Sequence, residues 1–137
     1  MTGIERGSEI GGSIRKPAFY CGILGHKPNW GLLPQRGHAM PGVLAPNDIS
    51  VIGPLSRSAY DLETSVNVMA GPDEIMANGY VLNLPTLEKS VKDLRVAVWR
   101  DDDYAPVDQK VSARVDRVAE ALKDLGATID YGARPRF

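Results

Sequence analysis

The sequence predicts an α/β fold, and three observations carry that prediction. Residues 94–131 read as strand, helix, strand. A second amphipathic helix is patterned after Ser56. Upstream of it, small and apolar residues alternate with glycine and proline, which suits short strands joined by turns rather than helices.

Residues 1–25 are glycine-rich, with a short strand or turn expected up to Ser13 and irregular chain through Pro17. Residues 26–55 read as loop, because Pro28, Pro34, Pro41, Pro46 and Pro54 recur among glycines. Short strands are expected at Gly31–Leu33 and Ser50–Ile52. A helix then follows, capped by Ser56 or Ser58, with Asp61 near its positive end. Ala59, Leu62, Val66 and Met69 form its apolar face, and Gly71-Pro72 stops it. Arg57 and Asp61, four apart, are expected to pair along this helix. Residues 74–93 read as loop with one helical turn near 86–92.

The last third is more strongly patterned. Leu94–Trp99 alternates as a strand. Asp108 is placed to cap a helix running to about Leu125, with Val111, Val115, Val118, Leu122 and Leu125 as its buried face. Gly126 closes it, and Thr128–Tyr131 makes the second strand. Strand, helix, strand over this length predicts a βαβ unit with a parallel crossover. The chain thus divides into a glycine/proline-rich region at 1–55, helix and loop at 56–93, and the strand–helix–strand unit at 94–137.

Composition narrows the function classes. The 137 residues suffice for one domain, with 43% hydrophobic and 24% charged residues. Sixteen basic against 17 acidic residues leave a net charge of −1, which argues against nucleic-acid and membrane-surface partners. One cysteine, Cys21, cannot pair internally, which suits a reducing compartment. No apolar run reaches the roughly 20 residues of a membrane span, and Met1–Arg6 has no apolar signal core. A cytoplasmic location is expected.

The chemistry concentrates at Gly7-Ser8-Glu9-Ile10-Gly11-Gly12-Ser13-Ile14-Arg15. A serine after paired glycines can act as a nucleophile while nearby backbone N–H groups hold the oxyanion. It can equally be a tight turn that needs glycine for geometry, or a phosphate-binding loop, although the Gly-Lys-Ser/Thr ending of the Walker pattern is missing. No histidine–aspartate pair stands at a triad-like spacing from Ser13. His26 and His38 lie in loops, and Lys16 and Lys27 read as solvated charges. Arg15 is expected to pair with Glu9, and Cys21 to be a small buried hydrophobe. Asp101–Asp103 reads as a solvated loop, and neither a metal nor a cofactor is called for.

Residues 7–18, Gly-Ser-Glu-Ile-Gly-Gly-Ser-Ile-Arg-Lys-Pro-Ala, strongly resemble the signature of the amidase signature family. So do Tyr20–Pro28, Gly53–Leu62 and Ala70–Asp73, in order. The resemblance implies part of a mixed sheet covered by helices, and hydrolysis of a carbon–nitrogen amide bond through a serine acyl-enzyme. By that resemblance Ser13 is the nucleophile, and the N–H groups of Ile10, Gly11, Gly12 and Ser13 form the oxyanion hole. The family's lysine base and its second serine, held by a cis peptide, lie upstream of the nucleophile. With Met1 only twelve residues before Ser13, both are expected to be absent, making residues 1–137 a partial amidase domain of doubtful activity by itself. Glu9 stands where the family usually has aspartate. Expected partners are a small-molecule amide and either an N-terminal amidase segment or a second copy. The alternative is a non-catalytic remnant that keeps the loop for structure. Residues 31–52 depart from the usual pattern of tRNA-dependent amidotransferase catalytic subunits, which disfavours that subgroup.

Overall fold

A computed structural model describes residues 3–38, 41–43, 45–86 and 88–135. The chain falls into two compact units, Met1–Leu84 and Pro85–Phe137.

The first unit is built on a three-stranded antiparallel sheet in the order β1-β3-β2, with β1 at Ile4–Glu9, β2 at Leu24–Gly25 and β3 at Val51–Ser56. β3 is central and is buried along most of its length. Proline normally avoids central strands because it lacks a ladder donor. Pro54 is tolerated here, and its carbonyl accepts the His26 N–H at 3.0 Å. The strand therefore runs past Ile52, where the sequence pattern alone ends it. The strand expected at Gly31–Leu33 is instead turn and bend.

Helix α1, Arg15–Cys21, replaces the irregular chain expected there. Pro17 does not break it, because a first-turn N–H has no intrahelical partner to lose. Its last residue, Cys21, is exposed rather than buried. Helix α2, Ala59–Met69, starts at Ser58, whose Oγ accepts the Asp61 N–H at 3.0 Å. Ser58, not Ser56, is therefore the cap. Arg57 precedes that cap and so does not share the helix with Asp61.

Ile14 is the centre of this unit's core and is wholly buried. It rests on a strip where all three strands carry glycine. A Cβ on Gly53 would stand 2.9 Å from Ile14 Cδ1, one on Gly25 3.1 Å from Cγ2, and one on Gly7 3.4 Å from Cγ1. Gly7 and Gly53 are direct partners across β1 and β3. Glycine at these positions lets the segment carrying Ile14 lie down on the sheet, with Ala18 buried beside it.

The second unit pairs β4, Arg95–Ala97, in parallel with β5, Thr128–Asp130, joined through α3, Gln109–Asp124. The predicted βαβ order and parallel pairing are present. Asp108 caps α3, its carboxylate accepting the Lys110 N–H at 2.7 Å. The helical turn expected near 86–92 falls partly on Leu87, outside the described residues, and a 3-10 turn occurs at Val91–Asp93.

The buried face of α3 is not the expected one. Ala119 is buried and Ser112, Val115, Asp116 and Leu122 are half-buried. Val111, Val118 and Leu125 are exposed, Val118 by 60%. Both stripes share Val115 and Leu122. The small side chain of Ala119 lets the helix approach closely on its own side, and the expected face is turned partly outward. Asp116 pairs with Arg100, whose guanidinium also stacks 5.7 Å from the Tyr131 ring centre. In the acidic loop, Asp101 Oδ1 accepts the N–H groups of Asp102 and Val107, and Asp102 Oδ1 that of Tyr104.

Candidate functional site

Ser13 sits on a loop anchored on both sides. Before it, Gly12 takes φ +117°, a region that disfavours any residue with a Cβ, and its carbonyl accepts the Lys16 N–H at 2.8 Å. After it, Ile14 plugs into the glycine strip. Glu9, at the end of β1, closes the loop from beneath. Its Oε2 accepts the N–H groups of Ile14 and Arg15, each at 3.0 Å, and its Oε1 accepts Arg15 Nε at 2.6 Å and is ion-paired to Arg15 Nη2. The expected Glu9–Arg15 pair is thus present. Burial would raise the Glu9 pKa, but the Arg15 side chain and the two backbone donors outweigh it and bring the carboxyl down to about 2.

This bracing leaves the top of the loop free. Among the described residues, Ser13 Oγ has no hydrogen-bond partner, and the N–H groups of Ile10, Gly11, Gly12 and Ser13 have no acceptor. Backbone donors left open beside an unengaged hydroxyl form an arrangement able to bind a developing oxyanion. Ser13 also opens onto a cavity of about 540 Å³, a size suited to a small-molecule ligand.

The far wall of that cavity comes from a segment whose sequence reads only as loop. Gln35, Arg36, His38 and Asn47 line it, with Asp73 beyond α2. Gln35 fastens that wall. Its Nε2 donates to the carbonyls of Asn47 and Ser50 at 3.1 and 2.6 Å, and its Oε1 accepts the Asn47 N–H. Trp30 Nε1 donates to the same Asn47 carbonyl at 2.7 Å. No periodicity marks such a wall, since its order comes from side chains tying down irregular backbone. The other residues singled out by sequence lie apart from this wall: Lys27 Nζ donates to the Pro28 carbonyl, and His26 and Cys21 do not line the cavity.

A family model described as amidase matches residues 2–135. The chain belongs to the amidase family. Among curated relatives of this amidase segment, a glutamyl-tRNA(Gln) amidotransferase subunit of Microcystis aeruginosa is 35% identical over 98% of the chain and 28% of its own length. Its counterpart in Salinibacter ruber is 34% identical over 94% and 25%. Among solved structures, a fatty acid amide hydrolase superposes with TM-score 0.76 at 32% identity, covering 97% of the chain and 24% of its own. The glutamyl-tRNA(Gln) amidotransferase subunit of Thermotoga maritima gives 0.72 at 27%, covering 93% and 28%. The segment therefore carries the amidase signature fold and spans about a quarter of the length of these relatives. Among the described residues, no helix is long and apolar enough to cross a membrane.

Proposed function

We propose that Ser13 is the nucleophile of an amide hydrolysis and that the N–H groups of Ile10, Gly11, Gly12 and Ser13 hold the oxyanion. One observation carries this reading: Ser13, its Oγ unengaged, lines a 540 Å³ cavity together with Ile10, and the N–H groups of residues 10–13 have no acceptor among the described residues. Attack of Oγ on the amide carbon forms the acyl ester, the amine or ammonia leaves with a proton, and water releases the acid. The serine proton needs a base. Lys27 Nζ is taken up by the Pro28 carbonyl, and by the family resemblance the base lysine and second serine come from amidase sequence outside these 137 residues. The exposed Phe19 and Tyr20 (71% and 82% exposed) support that reading, as a surface for further parts of the fold to cover. The amidotransferase and fatty-amide names of the relatives point to different substrates, so the reaction class carries over and the substrate does not.

The test is labelling with a fluorophosphonate probe and mapping of the modified residue by mass spectrometry. The 137-residue chain should label slowly. Fusion to the upstream half of a relative should speed labelling of Ser13 by several powers of ten, and Ser13→Ala should abolish it. Labelling and amide hydrolysis that persist in the fused Ser13→Ala protein would remove Ser13 from the role.

A further inference from the structure

The cavity beside Ser13 holds an arginine whose recognition edge is unused. Asp73 is held by the chain that follows it, its Oδ1 accepting the N–H groups of Ile75 and Met76 at 2.9 and 3.0 Å. Its Oδ2 accepts Arg36 Nε at 2.9 Å. Asp73 is mostly buried and Arg36 half-exposed, so the carboxylate is the fixed partner and the guanidinium is aimed by it. Among the described residues, Arg36 Nη1 and Nη2 have no partner.

We infer that Arg36 selects substrates that carry a carboxylate in addition to the scissile amide. The two terminal nitrogens of a guanidinium offer parallel donors that match the two oxygens of a carboxylate. Tethering Nε lowers the ordering cost of presenting that edge. Gln35, beside it on this wall, is already used, spending both its Nε2 donation and its Oε1 on Asn47 and Ser50. Asp73 and Arg36 cancel in charge, and His38 is the remaining titratable group lining the cavity, so the bare wall does not repel an anion. A substrate spanning this cavity places its amide at Ser13 and its carboxylate at Arg36. The inference rests on the Ser13 reading for which bond is cut, though not for binding.

Binding to the 137-residue chain tests it, read by backbone NMR shifts with two probes of similar size, succinamate and butyramide. Succinamate should bind about tenfold more tightly, with shifts centred on residues 35–38 in the unsubstituted chain. Arg36→Gln should bring the two probes level, while Arg36→Lys should keep only part of the preference. Equal binding of the probes, no binding of succinamate, shifts elsewhere, or a preference that survives Arg36→Gln would each overturn the inference. Ser13→Ala should leave the preference intact. Failed Ser13 labelling with the preference present thus counts against the nucleophile alone. Labelled Ser13 without the preference counts against Arg36 alone.

Discussion

Glu9 is 1% exposed, and its carboxylate holds Arg15 through side chain and backbone together while also capturing the Ile14 N–H. One buried charge thus fixes the turn on which Ser13 stands. The consequences are thermodynamic and can be measured.

With a folded pKa of about 2 against an ordinary 4.5, Glu9 binds its proton more readily in the unfolded chain. Its stabilisation is therefore complete above pH 4.5 and is lost as pH falls towards 2. Urea unfolding across pH 2–7 should show that acid loss, and Glu9→Gln should flatten it. At pH 7, Glu9→Ala should cost about 3 kcal/mol by stranding the Ile14 and Arg15 donors. A pH profile unchanged by Glu9→Gln would refute this account.

Ile14 and the glycine strip beneath it form one packing unit. Ile14→Ala should cost about 3 kcal/mol and Ile14→Val about 1. Gly53→Ala fails for the opposite reason. Its Cβ would meet the His26 carbonyl oxygen at 2.1 Å, a backbone atom that cannot rotate away. A loss of about 3 kcal/mol or more is expected. Chemical denaturation of each variant checks the pair, and a Gly53→Ala chain as stable as the parent contradicts the close approach.

In the second unit, Asp108→Ala should lower stability by about 1 kcal/mol through loss of the α3 cap. Val118→Ser should change it by less than about 0.5 kcal/mol, while Ala119→Asp should cost about 3 kcal/mol by burying an unpaired charge. Circular dichroism melts rank the three. A Val118→Ser cost equal to that of Ala119→Asp would restore the face that periodicity predicts.

Legibility of the fold followed the range of the interactions involved. Asp108 and Ser58 cap with their own following residues, so local sequence suffices to find them. The βαβ order is readable for the same reason. Helix α1 is hidden by Pro17, and β3 by Pro54, because proline's penalty depends on whether the lost N–H had a partner, which neighbours in space decide. The α3 face differs from expectation because periodicity gives a stripe but not the side against which another element packs.

The sequence by itself determined the family, the α/β class, and Ser13 with its glycines as the place to look. A backbone turn of that kind is a local property, written in consecutive residues. Only the tertiary structure decided that Glu9 braces the turn from beneath, that Ile14 lies across glycines from three strands, and that Gln35, Arg36, His38, Asn47 and Asp73 wall the cavity Ser13 lines. Those relations join segments up to 60 residues apart, from Ser13 to Asp73. They depend on strand pairing and side-chain ties that no local pattern encodes.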